Sequence, residues 1–112
     1  MNCIFCQIIQ KEIPSEIVFE DEKLVAFKDI NPKAPIHLLI VPKKHIESVA
    51  VLNEEDKSLI SEMIWRAKIL AEEQGIAKRG YKLIINCGED GGQLIKHIHL
   101  HLLGGKKLEG LV

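Results

Sequence analysis

His97, His99 and His101 stand at alternate positions in KHIHLHLLGG, and they are three of only five histidines in the chain. Residues two apart in a strand share a face, so the spacing predicts three imidazoles pointing one way, with Ile98, Leu100 and Leu102 pointing into a core. Three readings fit: a surface strand with incidental imidazoles, a metal site with three facial ligands, or nucleophilic and acid–base chemistry in which one imidazole attacks and another donates a proton. The segment just upstream, Asn86-Cys87-Gly88-Glu89-Asp90-Gly91-Gly92-Gln93, bears on the choice. Its glycines let the backbone approach a bound group closely, and successive N–H groups can cradle phosphate oxygens. It lacks the GxxxxGK pattern and alone could be a turn. Directly before three histidines, it favours a phosphorus substrate. A second cluster, Cys3-Ile4-Phe5-Cys6, is a CxxC. No thioredoxin-like βαβ pattern follows it, so zinc is the better reading than redox chemistry, and zinc requires two further ligands.

These groups must be held by ordinary elements. Residues 4–11 suit a short helix ended by Pro14. Residues 16–20 and 23–28 read as strands around Asp21-Glu22. IHLLIV, between Pro35 and Pro42, reads as a central strand buried on both faces. The spacing predicts a long helix over 54–74, with Asn53 as N-cap, Glu54, Glu55 and Asp56 in its first turn and Gly75 as its stop. Leu59, Ile60, Met63, Ile64, Ala67, Leu70 and Ala71 form its core-facing stripe; Trp65 and Ile69 fall on the other side and suggest a partner surface. Residues 81–88 and 95–103 pair as antiparallel strands around EDGGQ. Five strands and one long helix in roughly meandering order make an α+β domain.

With 112 residues, 46% of them hydrophobic and 28% charged, the chain suits a single globular domain, residues 1–112. A net charge of −1 without long basic runs speaks against nucleic acid as a partner. No apolar run approaches a membrane span, and the N-terminus lacks the layout of a signal peptide. Three cysteines without export signals point to a reducing cytoplasm.

His97-Ile98-His99-Leu100-His101-Leu102-Leu103 is similar to the H-φ-H-φ-H-φ-φ signature (φ apolar) of the histidine triad superfamily. KEIPSEIVFEDEKLVAFKDINPKAPIHLLIVPKKH and YKLIINCGEDGGQ extend the resemblance over nearly the whole chain, to the nucleotide-binding branch of purine nucleoside phosphoramidases. The resemblance implies an antiparallel sheet extended across a homodimer, and hydrolysis of adenosine or guanosine phosphoramidates or acyl-nucleotides. Alternatives are a dinucleoside polyphosphate hydrolase, as in another branch, or a nucleotide-binding scaffold with little activity.

By the same resemblance, His99 is the nucleophile that forms a nucleotidyl-histidine, and His101 contacts phosphoryl oxygens and assists the leaving group. Gln93, Asn86 and the amides near Gly92 hold developing charge. Asp29 binds the ribose hydroxyls; Phe5, Ile8, Phe27, Ile30 and Leu39 line the base pocket; His37 supports the hydrogen bonds of the triad. Zinc-containing relatives pair the CxxC with the histidine after Pro-Lys-Lys and with the first triad histidine, which implies a structural Zn²⁺ on Cys3, Cys6, His45 and His97. Cys87 is left over and is expected to be a buried thiol. Leu94 departs from the pattern, since many relatives carry serine or threonine there.

Overall fold

The computed structural model describes residues 3–110. Helix α1 (Ile4–Ile9) opens on Cys3, whose sulfur accepts the N–H of Cys6. Strands β1 (Ile17–Glu20) and β2 (Leu24–Lys28) follow as a hairpin. Asp21 tightens its turn by accepting the N–H groups of Lys23 and Leu24, both at 2.8 Å. Strand β3 (Ile36–Pro42) is buried almost throughout, as a run without polar alternation requires. After the long helix α2 (Lys57–Glu73) come β4 (Tyr81–Ile84) and β5 (Leu100–Gly104).

All five strands form one antiparallel sheet in the order β1-β2-β3-β5-β4. This differs from a simple meander, because β5 inserts between β3 and β4. The more apolar strand takes the centre, and β4, which carries Lys82, takes the edge where unpaired backbone meets water. Both last strands are also shorter than their sequence suggests. Gly88 (φ 73°) and Gly92 (φ 78°) turn the chain after β4, and His97 and His99 precede the first ladder residue of β5.

The alternation of side chains sorts two cores onto the two faces. On one face Leu38, Ile40, Leu100 and Leu102 pack with Met63, Ala67, Leu70 and Ala71 of α2. On the other, Val25, Phe27, Leu39 and Val41 pack with Phe5 and Ile8 of α1. Ile98 keeps this alternation although it lies outside the ladder; it is fully buried, and its N–H reaches the Ile46 carbonyl at 2.7 Å. The odd-numbered histidines therefore face α1.

Helix α2 begins one turn later than the periodicity implies, because Glu54–Asp56 form a 3₁₀ turn. Asn53 does sit at its start: its N–H donates to the buried Asp56 carboxylate at 2.9 Å, which Lys44 also reaches at 2.8 Å. The Lys44 ammonium holds that carboxyl below its ordinary range. At the far end Ile76 N–H bonds Ala71 and Gly75 N–H bonds Glu72, a Schellman closure that needs the left-handed φ of 76° at Gly75. Met63, Ala67, Leu70 and Ala71 are buried, and Leu59 and Ile60 half-buried, as the stripe predicts. Ile64 is not; it is 47% exposed. It lies about 100° around the helix from Met63, at the margin of the stripe. Trp65 is 59% exposed and Ile69 half-buried. Among the described residues, no helix is long and apolar enough to cross a membrane.

Candidate functional site

Carbonyl groups can only accept hydrogen bonds, and this fixes the protons of the triad. His97 Nε2 lies 2.8 Å from the Pro42 carbonyl and must carry hydrogen, so its lone pair sits on Nδ1. His99 Nδ1 lies 2.7 Å from the carbonyl of His97, so Nδ1 donates and the Nε2 lone pair is free. His37 Nδ1 accepts the N–H of Lys33 at 3.1 Å; its Nε2 therefore donates, 2.9 Å from His101 Nδ1. His101 is thereby left with its hydrogen on Nε2. Neighbouring histidines, 4.9 Å apart between ring centroids, thus offer opposite functions: a lone pair at His99 and a proton at His101.

Burial keeps these rings neutral. It is the main cause of the lowered pKa values of His37, His97 and His99, and it pushes His101 down to about 4, helped by the nearby His99 and His37. Asp29 opposes the trend at His37, with its Oδ2 3.4 Å from Nε2.

The lone pair of His97 points into the second cluster. His97 Nδ1 is 3.1 Å from His45 Nδ1, 3.3 Å from Cys3 Sγ and 3.6 Å from Cys6 Sγ, and Cys6 Sγ is 3.4 Å from His45 Nδ1. A tetrahedral zinc ion with ordinary bond lengths sets nitrogen–nitrogen and sulfur–nitrogen separations of about 3.3 and 3.6 Å. All four ligand atoms lie within 4.8 Å of one another. Burial and the neighbouring Cys3 push the Cys6 thiol up to about 11, so two adjacent thiolates here call for a compensating cation. The donor set fits zinc. Asp29, His37 and His101 also converge within 4.8 Å. There the hydrogen on His37 Nε2 occupies the position a ligand lone pair would need, which speaks against a second cation.

A cavity of about 630 Å³ opens beside His99 and His101. It brings together Phe5, Ile8, Phe27, Asp29, Ile30, His37, Leu39, Asn86 and Gly92 from the expected site. Phe5 and Phe27 meet edge to face at 5.5 Å, and Phe5 also touches the His99 ring, 5.0 Å between centroids. Ile30 stands 82% exposed at the rim. Asp29 is held by its Oδ1, which accepts the Asn31 N–H at 2.8 Å.

Gln93 is placed otherwise. Its side chain does not line the cavity; Oε1 accepts the Gly88 N–H, and Nε2 donates to the carbonyls of Glu47 and Ile95. The Gly92 and Gln93 N–H groups are taken up by Glu89 and Gly88, whereas the N–H of Leu94 has no partner among the described residues. Asn86 braces the same loop through Gly91, where a Cβ would come within 2.3 Å of the Cys87 carbonyl. Cys87 is exposed rather than buried, because β4 ends at Ile84 and the turn carries residue 87 outward. Sequence reasoning missed Ile13, Pro14, Ile84, Ile95 and Leu103 as cavity lining. Only the strand order, which no local pattern encodes, brings β4 and the 13–15 segment to one opening.

Residues 2–110 match the family described as Scavenger mRNA decapping enzyme C-term binding. The chain is 48% identical over 105 residues to the purine nucleoside phosphoramidase of Escherichia coli (strain K12), covering 94% of this chain and 88% of that protein. It superposes on a HIT family hydrolase from Legionella pneumophila Philadelphia 1 with a TM-score of 0.94 and 50% identity, covering 96% of each chain. A Zn-bound histidine triad family protein from Mycobacterium smegmatis superposes at 0.81 with 29% identity, covering 95% of this chain and 76% of that one.

Proposed function

Because this chain belongs to the histidine triad (HIT) family of hydrolases, we propose that it cleaves purine nucleoside 5′-phosphoramidates, or the related acyl-nucleotides, to the nucleoside monophosphate. The observation that carries the proposal is the pair of opposite tautomers at His99 and His101. His99 Nε2 gives its lone pair to the α-phosphorus as the phosphorus–nitrogen bond to the amine breaks. The amine departs with that electron pair, steadied by a hydrogen bond from His101 Nε2–H, and takes its proton from a water molecule. The hydroxide oxygen of that water displaces His99 from phosphorus and releases the monophosphate. Two easier displacements replace one hard one.

The other residues position and bind. The base lies against Phe5, Ile8, Phe27, Ile30 and Leu39, and Asp29 accepts hydrogen bonds from the ribose. The N–H of Leu94, without a partner among the described residues, meets phosphoryl oxygens. Gln93 and Asn86 act through the loop they brace. Zinc on Cys3, Cys6, His45 and His97, a closed four-ligand set, ties α1 to the catalytic segment and takes no part in the chemistry. Its thiol ligands suit a reducing compartment such as the cytoplasm.

The test is steady-state release of AMP from adenosine 5′-phosphoramidate beside diadenosine tetraphosphate. The phosphoramidate should turn over faster. Preference for the tetraphosphate would make this a polyphosphate hydrolase, and turnover of neither would leave a nucleotide-binding module.

We also read the exposed face of α2 as a homodimer interface. Its support is the adjacency of Ile64 and Trp65, 47% and 59% exposed, together with the edge strand β4, where Leu83 is 38% exposed. Trp65→Glu would place a charge in that interface without a partner. Sedimentation should find the wild type dimeric and the variant largely monomeric; a monomeric wild type refutes the interface.

A further inference from the structure

Helix α1 and its cap carry two pairs of residues with the same spacing, and the pairs serve different neighbours. Cys3 and Cys6 belong to the metal cluster: Cys3 Sγ is 3.3 Å from His97 Nδ1, and Cys6 Sγ is 3.4 Å from His45 Nδ1. Phe5 and Ile8 line the cavity beside His99. Phe5, only 5% exposed, stands edge to face with Phe27, His97 and His99, at 5.5, 5.9 and 5.0 Å between centroids. One six-residue helix thus serves both as half of a metal site and as a wall of the cavity.

A helix this short has almost no stability of its own in water, so its position is set by what it touches. Its apolar contacts with Val25, Phe27, Leu39 and Val41 are non-directional and tolerate sliding. Two thiolates on one tetrahedral ion fix both its height over the sheet and its rotation. We propose that Cys3 and Cys6 are positioning residues for the nucleoside: occupancy of the four-ligand site sets Phe5 and Ile8 in place, so zinc and a purine nucleotide bind cooperatively through α1. This rests on the nucleotide-binding reading above, in which the base lies against Phe5 and Ile8. By linkage, the factor by which zinc tightens AMP equals the factor by which AMP tightens zinc. A ligand that reaches only the ribose and phosphate positions does not touch α1 and gains nothing from the metal.

Calorimetric titration of AMP into zinc-loaded and chelator-stripped protein, the latter checked for folding by circular dichroism, should show affinity about tenfold weaker without the metal. The reverse measurement starts from loaded protein. Competition with a chromophoric chelator should find zinc held about tenfold more tightly when AMP occupies the cavity. Ribose 5-phosphate at the same fractional occupancy stabilises the native state by the same mass action, yet should leave zinc affinity nearly unchanged. Equal tightening by both ligands overturns the route through α1. AMP that binds without moving zinc affinity overturns the coupling and leaves the nucleotide reading intact. Protein that holds no zinc also overturns the coupling alone, whereas protein that binds no AMP overturns both.

Discussion

His99→Ala is expected to lower turnover of adenosine 5′-phosphoramidate by roughly a thousandfold or more, with nucleotide affinity nearly unchanged. The loss is large because water cannot replace a nucleophile already held beside phosphorus with its lone pair free. Affinity should survive because, in the proposed binding mode, the aromatic end of the cavity and Asp29 hold the nucleoside without His99. Single-turnover kinetics and equilibrium AMP binding together check both halves. An alkaline quench should also trap nucleotide on the wild type and none on the variant, since phosphorus–nitrogen bonds to histidine break in acid. His101→Ala should lose rate too, but least with substrates whose leaving groups need no proton. Near-normal turnover by His99→Ala would remove the nucleophile from this scheme, whatever the fate of the other histidines.

Protein purified without chelator is expected to carry one zinc per chain. Cys6→Ser, or stripping by a strong chelator, should cost on the order of 3 kcal/mol or more and lower the melting temperature by about 10 °C or more, because a closed metal site contributes its binding energy to folding. The four ligands explain the size of the effect. They bring residues 3 and 6 against residues 45 and 97, and this clamp fastens α1 over the sheet. Elemental analysis and paired melts with and without chelator check it. Metal-free protein that melts at the same temperature with chelator would refute the site.

Much of this was legible in the sequence because the signals are local. Asn53 and Gly75 bracket α2, Asp21 marks the first hairpin, and the alternation through 97–102 sorts histidines from core residues even though 97–99 lie outside the ladder. What stayed hidden depends on distant partners. Whether β4 or β5 lies beside β3 is decided by which strand has more apolar surface to bury, and the pattern within each cannot state it. Ile64 sits at a stripe margin that only packing defines. Gln93 is an amide beside the histidine segment, and nothing in its neighbours reveals that carbonyls of Glu47 and Ile95 occupy it. The rings themselves were visible as chemistry, but their tautomers were not: these required the carbonyls of Pro42 and His97 and the amide of Lys33.

On the ribosome, the insertion of β5 between β3 and β4 imposes a schedule. The side of β3 that faces β5 in the finished sheet cannot be satisfied until the chain has been made as far as Gly104. At roughly 5–20 residues per second, an apolar strand edge waits for seconds with its neighbour unsynthesised. The histidines ride on the segment that ends this wait. The same stretch that carries the three histidines closes the sheet, so the nascent chain gathers its triad and covers that edge of β3 in one event.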